Sequence, residues 1–311
     1  RETLSVGDNV TLASLLSVGG ITVVSSTLSV GAGVTMASSL SVGDNVTLAS
    51  LLSVGGITVV SSTLSVGAGV TMASSLSVGD NVTLASLLSV GGITVVSSTL
   101  SVGAGVTMRS SLSVGDNVTF ASLLSIGGLT VIRETLSVGG DVVLNGGTVT
   151  LHGDLSVGGD ITLNGSINFN DTLSVADNVT FASSLSIGGL TVIRETLSVG
   201  DNVTLASLLS VGGITVVSST LSVGAGVTMA SSLSVGDNVT LASLLSVGGI
   251  TVVSSTLSVG AGVTMASSLS VGDNVTLASL LSVGGITVVS STLSVGAGVT
   301  MASSLSVGDN V

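Results

Sequence analysis

The chain has 311 residues with no Lys, Pro, Cys, Trp or Tyr, three Phe, one His and 44 Gly, yet 45% of it is apolar. Its four basic residues (Arg1, Arg109, Arg133 and Arg194) against 16 acidic ones give a net charge of −12, which leaves no basic surface for nucleic acid. Without cysteine there is neither a disulfide framework nor a thiolate metal site. Mean hydropathy is +0.94, but Ser, Thr, Gly or Asn breaks every apolar run well short of the roughly 18 residues of a membrane span, so no membrane insertion is expected. With so few aromatic anchors the Val, Leu and Ile residues must be buried in regular ladders of small side chains, and they are too plentiful for a disordered chain.

In chain order, Arg1-Glu2-Thr3 opens straight into a repeat, with no signal-peptide pattern. Residues 4–15 read LSVGDNVTLASL, 16–27 LSVGGITVVSST and 28–39 LSVGAGVTMASS. Three twelve-residue units in fixed order make a 36-residue super-repeat, which returns at 40–75 and again from 76, where Arg109 breaks the identity. Between Leu136 and Leu173 stand LSVGGDVVLNGG, TVTLHGD, LSVGGDITLNGS and the bare hexad INFNDT. Residues 194–311 then reproduce 1–118 with one difference, Arg109 against Ala302. The chain thus reads as one 193-residue macro-repeat and part of the next, and a window from a longer chain is expected. Its organisation is regular repeats over 1–135, an irregular insert over 136–172 and regular repeats over 173–311.

Each unit splits into two hexads, and the inserted half-unit implies that one hexad is one strand plus one corner. Leu4, Val6, Val10 and Leu12 alternate with Ser5 and Thr11, the period of a strand with one apolar face. Gly7-Asp8-Asn9 is the first corner, where Gly and Asn take a positive φ readily, and Ala13-Ser14-Leu15 is the second. Strands this short are stable only when each pairs with its copies above and below, so the expected fold is all-β, a β-solenoid (β-helix) of stacked hexads. Twelve residues per turn leaves little interior. Eighteen per turn gives three hexads around a triangular coil.

The pairs Val6-Gly7, Leu12-Ala13, Val18-Gly19, Val24-Ser25, Val30-Gly31 and Met36-Ala37, an aliphatic residue followed by a small one in each hexad, resemble the left-handed hexapeptide β-helix family. The chain departs from that pattern at Leu4, Val10, Leu16, Leu28 and Val34, where the family has small residues. That bulk points to a wider interior, from a larger turn or from three chains sharing one core. Segments such as LSVGGDVVLNGG and LSVGGDITLNGS also resemble the twelve-residue-repeat fibre proteins of large viruses and microbial surfaces, which implies a surface or virion fibre.

In the middle unit ITVV offers apolar residues to both faces. Ile21 and Val23 fall in phase with Asn9 and Thr11, which point outward. Either a corner tolerates a stray Ile, or a repeating apolar stripe packs against another chain, and the second reading is preferred.

Little else suggests chemistry. His152, in TLHGD, is the only imidazole, and a catalytic role for it is set aside in favour of an exposed residue in the insert. Asp8, Asp44, Asp80, Asp116, Asp201, Asp237, Asp273 and Asp309 recur within GDN. In an 18-residue turn successive copies lie about 10 Å apart, too far for one calcium ion to bridge, so solvated acidic corners are expected. The VGGxxV segments lack the Lys and the strand-loop-helix context of a phosphate loop. A column of Thr11, Thr35, Thr47 and Thr71 raises ice binding, against which Val23 and Val59 read as interruptions.

No catalytic, cofactor or metal residues are assigned, and an enzyme is not expected. The expected function is a structural filament or fibre, an elongated rod outside a cell or on a virion, whose partner is itself in a filament or bundle, three chains being one such bundle. The alternatives are the stalk of an adhesin whose binding domain lies elsewhere, with the 136–172 insert, which holds His152 and Phe169, as the place for any lateral contact, and an ice-binding solenoid.

Overall fold

A computed structural model of the chain describes residues 3–145, 149–165 and 167–311, with the side chains of Ile167 and Asn168 outside the description. These residues fall into two compact units, Arg1–Gly158 and Gly159–Val311. Among the described residues all the elements are strands of three residues, 26 in the first unit and 25 in the second. Each unit is a parallel β-solenoid.

In the first unit the turn is set by register. Leu4–Val6 pairs with Thr22–Val24, Val10–Leu12 with Leu28–Val30 and Leu16–Val18 with Val34–Met36, in each case 18 residues on. One turn is therefore three strands and three corners, and the strands stack into three sheets. The first sheet holds Leu4–Val6, Thr22–Val24 and Leu40–Val42, the second Val10–Leu12, Leu28–Val30 and Val46–Leu48, and the third Leu16–Val18, Val34–Met36 and Leu52–Val54. The second unit follows the same rule, as in Val203↔Leu221 and Leu221↔Val239. Because a super-repeat is 36 residues, it spans two coils, and each variant returns to the same sheet at every second coil.

The interior is that of a single chain, not the wider or shared one that the bulk at Leu4, Val10, Leu16, Leu28 and Val34 suggested. Wherever the side chains are described, the first and third residues of a strand point inward, and Leu28, Val30, Val34 and Met36 are all buried. Volume is balanced along each column rather than around each coil. Leu4 stacks on Thr22 and Thr22 on Leu40, Val10 on Leu28 and Leu28 on Val46, Leu16 on Val34 and Val34 on Leu52. A large residue meets a smaller β-branched one each time, which fills the core without strain.

Glycine follows the same alternation, and not for the reason the sequence suggests. Corner glycines such as Gly43, Gly55 and Gly67 do not take a positive φ. What excludes a side chain is the coil beneath: a Cβ on Gly55 would lie 2.5 Å from the Ala37 carbonyl oxygen, and one on Gly67 2.5 Å from that of Ala49. The first corner residue alternates down each column, as in Gly19, Ala37, Gly55, Ala73 and Gly91. The glycine amides sit closer to the coil below, Gly67 N–H donating to Leu48 O at 2.8 Å and Ala73 N–H to Val54 O at 3.1 Å.

The insert keeps the coil but shifts its register. Leu124 pairs with Val142, 18 residues on, whereas Thr130 pairs with Val149 and Leu136 with Leu155, 19 residues on. The additional residue therefore lies between Leu144 and Val149, a stretch whose residues 146–148 lie outside the description. The boundary between the two units also falls within the insert.

Candidate functional site

The polar groups with any chemistry stand at corners, because strands present only their middle residue outward. In the first unit Asp8, Asp44, Asp80 and Asp116 share the corner between the first and second sheets, where Ser26, Ser62 and Ser98 occupy the intervening coils. Two coils thus separate successive carboxylates, as an 18-residue turn implies. Hydroxyls from the neighbouring coil donate to several of them, Thr27 Oγ1 to Asp44 Oδ2 at 3.2 Å and Ser98 Oγ to Asp116 Oδ2 at 2.8 Å. The adjoining asparagines form a ladder: Asn9, Asn45, Asn81 and Asn117 each accept through Oδ1 from the backbone N–H of Thr27, Thr63, Thr99 and Thr135 one coil on. In the second unit Asn202, Asn238 and Asn274 repeat this ladder, and Ser291 Oγ donates to Asp309 Oδ2 at 2.8 Å. The GDN corners are stitches between coils.

His152 is exposed at the corner after Val149–Leu151, with Asp154 two residues on. Phe169, which lies in the insert expected to be the place for any lateral contact, is buried in the second unit, as Phe120 and Phe181 are in theirs. Among the described residues no group of three or more His, Cys, Asp or Glu side chains comes together as a metal site would. The Gly-Gly segments are corners between strands. Among the described residues no helix is long and apolar enough to cross a membrane.

The outward columns differ from sheet to sheet. In the first unit the second sheet presents Thr11, Ser29, Thr47 and Ser65, and the third Ser17, Thr35, Ser53 and Thr71. These hydroxyl columns run without the interruption expected from Val23 and Val59, which stand on the first sheet between Ser5, Ser41 and Ser77. An odd number of strands per turn sends Val to a different face from Thr. Arg109 lies beside the third sheet in a shallow groove with Thr71, Ser89 and Thr107.

Two apolar ridges follow corners of the first unit. Ile21, Ile57, Ile93 and Leu129 project between the third and first sheets, with Val23, Val59 and Val95 beside the first three, while Thr22 and Val24 turn inward. Leu15, Leu51, Leu87 and Leu123 project between the second and third sheets. This leucine ridge was missed in the sequence, although LASL recurring every 36 residues at a third corner position signals it. In the second unit Ile214, Ile250 and Ile286 form a ridge with Val216, Val252 and Val288. Leu190 stands apart, because its strand Thr191–Ile193 pairs with Leu209–Val211 whereas Thr215–Val217 pairs with Leu233–Val235.

Compared with known proteins, the chain matches no family model, no curated protein and no solved structure.

Proposed function

We propose that the chain is a structural protein, a segment of a filament or fibre standing outside a cell or on a virion surface, with a mechanical rather than an enzymatic role and with copies of itself as partner. The observation that carries this reading is the unbroken ladder within each unit. Every coil is held to the next through three sheets and an apolar interior, and each touches only its neighbours along the axis. Stability of that kind grows by nearest-neighbour increments, so duplication lengthens the structure without redesign, and near-identical repeats are the sequence such growth leaves behind. The acidic GDN corners give that edge of the first unit a negative charge that opposes indiscriminate sticking along it.

Electron microscopy of the purified chain tests the proposal through mass per length. One solenoid strand adds roughly 1.7 kDa per rise of about 4.8 Å, and a bundle shows a whole multiple of that value. Globular particles without extended material overturn the reading.

In the first unit the second sheet keeps a hydroxyl at every outward position from Thr11 to Ser156, which favours a second reading, in which that sheet orders water on an ice surface. Thermal hysteresis of the purified chain separates the two, since a mechanical fibre leaves the freezing point at its colligative value.

A further inference from the structure

The fold does not require the isoleucine ridge. At the same corner, alternate coils carry Ser39 and Ser75 where Ile21, Ile57 and Ile93 stand, and on the first sheet Ser41 and Ser77 alternate with Val23, Val59 and Val95. Yet Ile57 is 50% exposed and Val59 40%. The intervening serines leave recesses: Ser39 Oγ accepts from Ile57 N–H at 3.2 Å and Ser75 Oγ from Ile93 N–H at 3.1 Å, so both hydroxyls are engaged by the backbone. The result is a row of apolar knobs and shallow gaps with a spacing of two coils, about 9.6 Å.

We propose that this ridge is the docking seam for a second copy of the chain, set one coil out of step so that each Ile enters the gap over a Ser of its partner. The axial period identifies the occupant. A partner with any other spacing falls out of register after a few knobs, whereas another copy matches at every coil, and the ridge returns with the same composition at Ile214, Ile250 and Ile286. Charge agrees with this choice. Between residues 19 and 129 the seam corner holds GGI, ASS, RSS and GGL triplets without a carboxylate, while Asp44 and Asp80 lie at the other end of the first sheet's strands. Two chains meeting at the seam therefore keep their acidic corners apart. Each super-repeat adds on the order of 150 Å² of apolar area per chain, so the three in the first unit supply somewhat more than half of the roughly 800 Å² per partner of a specific interface, and flanking residues must supply the rest. The leucine ridge differs. Leu51, at 57% exposed, lies across the neighbouring glycine, with its Cδ2 3.8 Å from where a Cβ of Gly69 would be, and Leu15 does the same over Gly33 at 3.5 Å. It fills its own gaps and leaves no recess for a partner.

The inference rests on the reading of the chain as a fibre element, and the two are separable. In the full chain, Ile21, Ile57, Ile93, Ile214, Ile250 and Ile286 and the Val two residues after each are changed to Ser, the residue alternate coils already carry. A two-site variant, Ile57→Glu with Ile93→Glu, guards against misfolding of the larger set, and Leu51→Ser with Leu87→Ser is the control. Sedimentation velocity reads the mass, with circular dichroism confirming strand content. The expected result is a wild-type chain in multiples of its mass, both Ile variants monomeric, and the Leu variant associated like the wild type. A monomeric wild type, Ile variants that still associate, or dispersal by the Leu changes alone overturns the seam. Microscopy of the monomeric variant addresses the other reading: extended particles leave the fibre role standing, and globular ones overturn it.

Discussion

Thr22, Thr58 and Thr94 are fully buried at inward positions of the first sheet, and no hydroxyl among them has a hydrogen-bond partner. Burying a hydroxyl without a partner costs about 1–3 kcal/mol, whereas Val has the same shape and occupies the equivalent inward position at Val46 and Val82. Thr58→Val is therefore expected to stabilise the first unit by about 1 kcal/mol, read as a rise in melting temperature. Glycine gives the opposite sign. Gly67→Ala places a Cβ 2.5 Å from the Ala49 carbonyl oxygen and is expected to lose about 1–3 kcal/mol. Gly105→Ala brings its Cβ no closer than 3.3 Å to the Leu123 carbonyl oxygen and is expected to lose less than about 1 kcal/mol. The pair of melting curves separates steric exclusion from backbone freedom, since a requirement for unusual φ would penalise both glycines.

Strands and corners were legible in the sequence because they depend on local alternation: Leu4 and Val6 inward, Ser5 between them, Gly7-Asp8-Asn9 at the bend. Turn size was not, since twelve or eighteen residues satisfy the same hexad, and only the pairing of Leu4 with Thr22 decides. Which face a residue occupies depends on that number, and so the placement of Val23 relative to Thr11 and Thr35 was misread, as was the bulk at Leu28. The candidate surface was partly legible. Ile21 and Val23 were placed outward from phase alone, and Leu15, which recurs every 36 residues at its corner, was open to the same reading. One strand also shows how far a perturbation should travel. Leu64–Val66 is paired only with Val46–Leu48 and Val82–Leu84, and Leu64 is fully buried. Leu64→Ala is expected to cost about 2–5 kcal/mol as a local loss. Hydrogen exchange should show reduced protection in those three strands and their coils and unchanged protection two super-repeats away, whereas a uniform loss across the unit would contradict nearest-neighbour stability.

At the scale of a whole unit, hexad parity governs what can be stacked. Hexads alternate between a Gly-cornered kind that begins with Leu and an Ala- or Ser-cornered kind that begins with Val or Thr. Three hexads per turn is an odd number, so this alternation places unlike kinds over each other in every column. The twelve-residue repeat is thus the shortest one that an 18-residue coil can stack large on small and glycine on Cβ. The insert shows the alternation failing: Leu155 pairs with Leu136, Gly158 lies over the Gly139 carbonyl, and the additional residue before Val149 accompanies them. A deletion series in the first unit tests the rule. Removing residues 76–87, one twelve-residue unit, preserves parity although it moves every later strand to a different sheet, and the melting temperature is expected to stay within a few degrees. Removing 76–93, one whole coil, keeps every strand on its sheet but sets Leu on Leu and glycine on glycine across the junction. That variant is expected to lose several kcal/mol in overpacking and voids at the junction and to gain a protease-sensitive point there. If the whole-coil deletion proves the milder of the two, sheet identity rather than hexad parity holds the coils together.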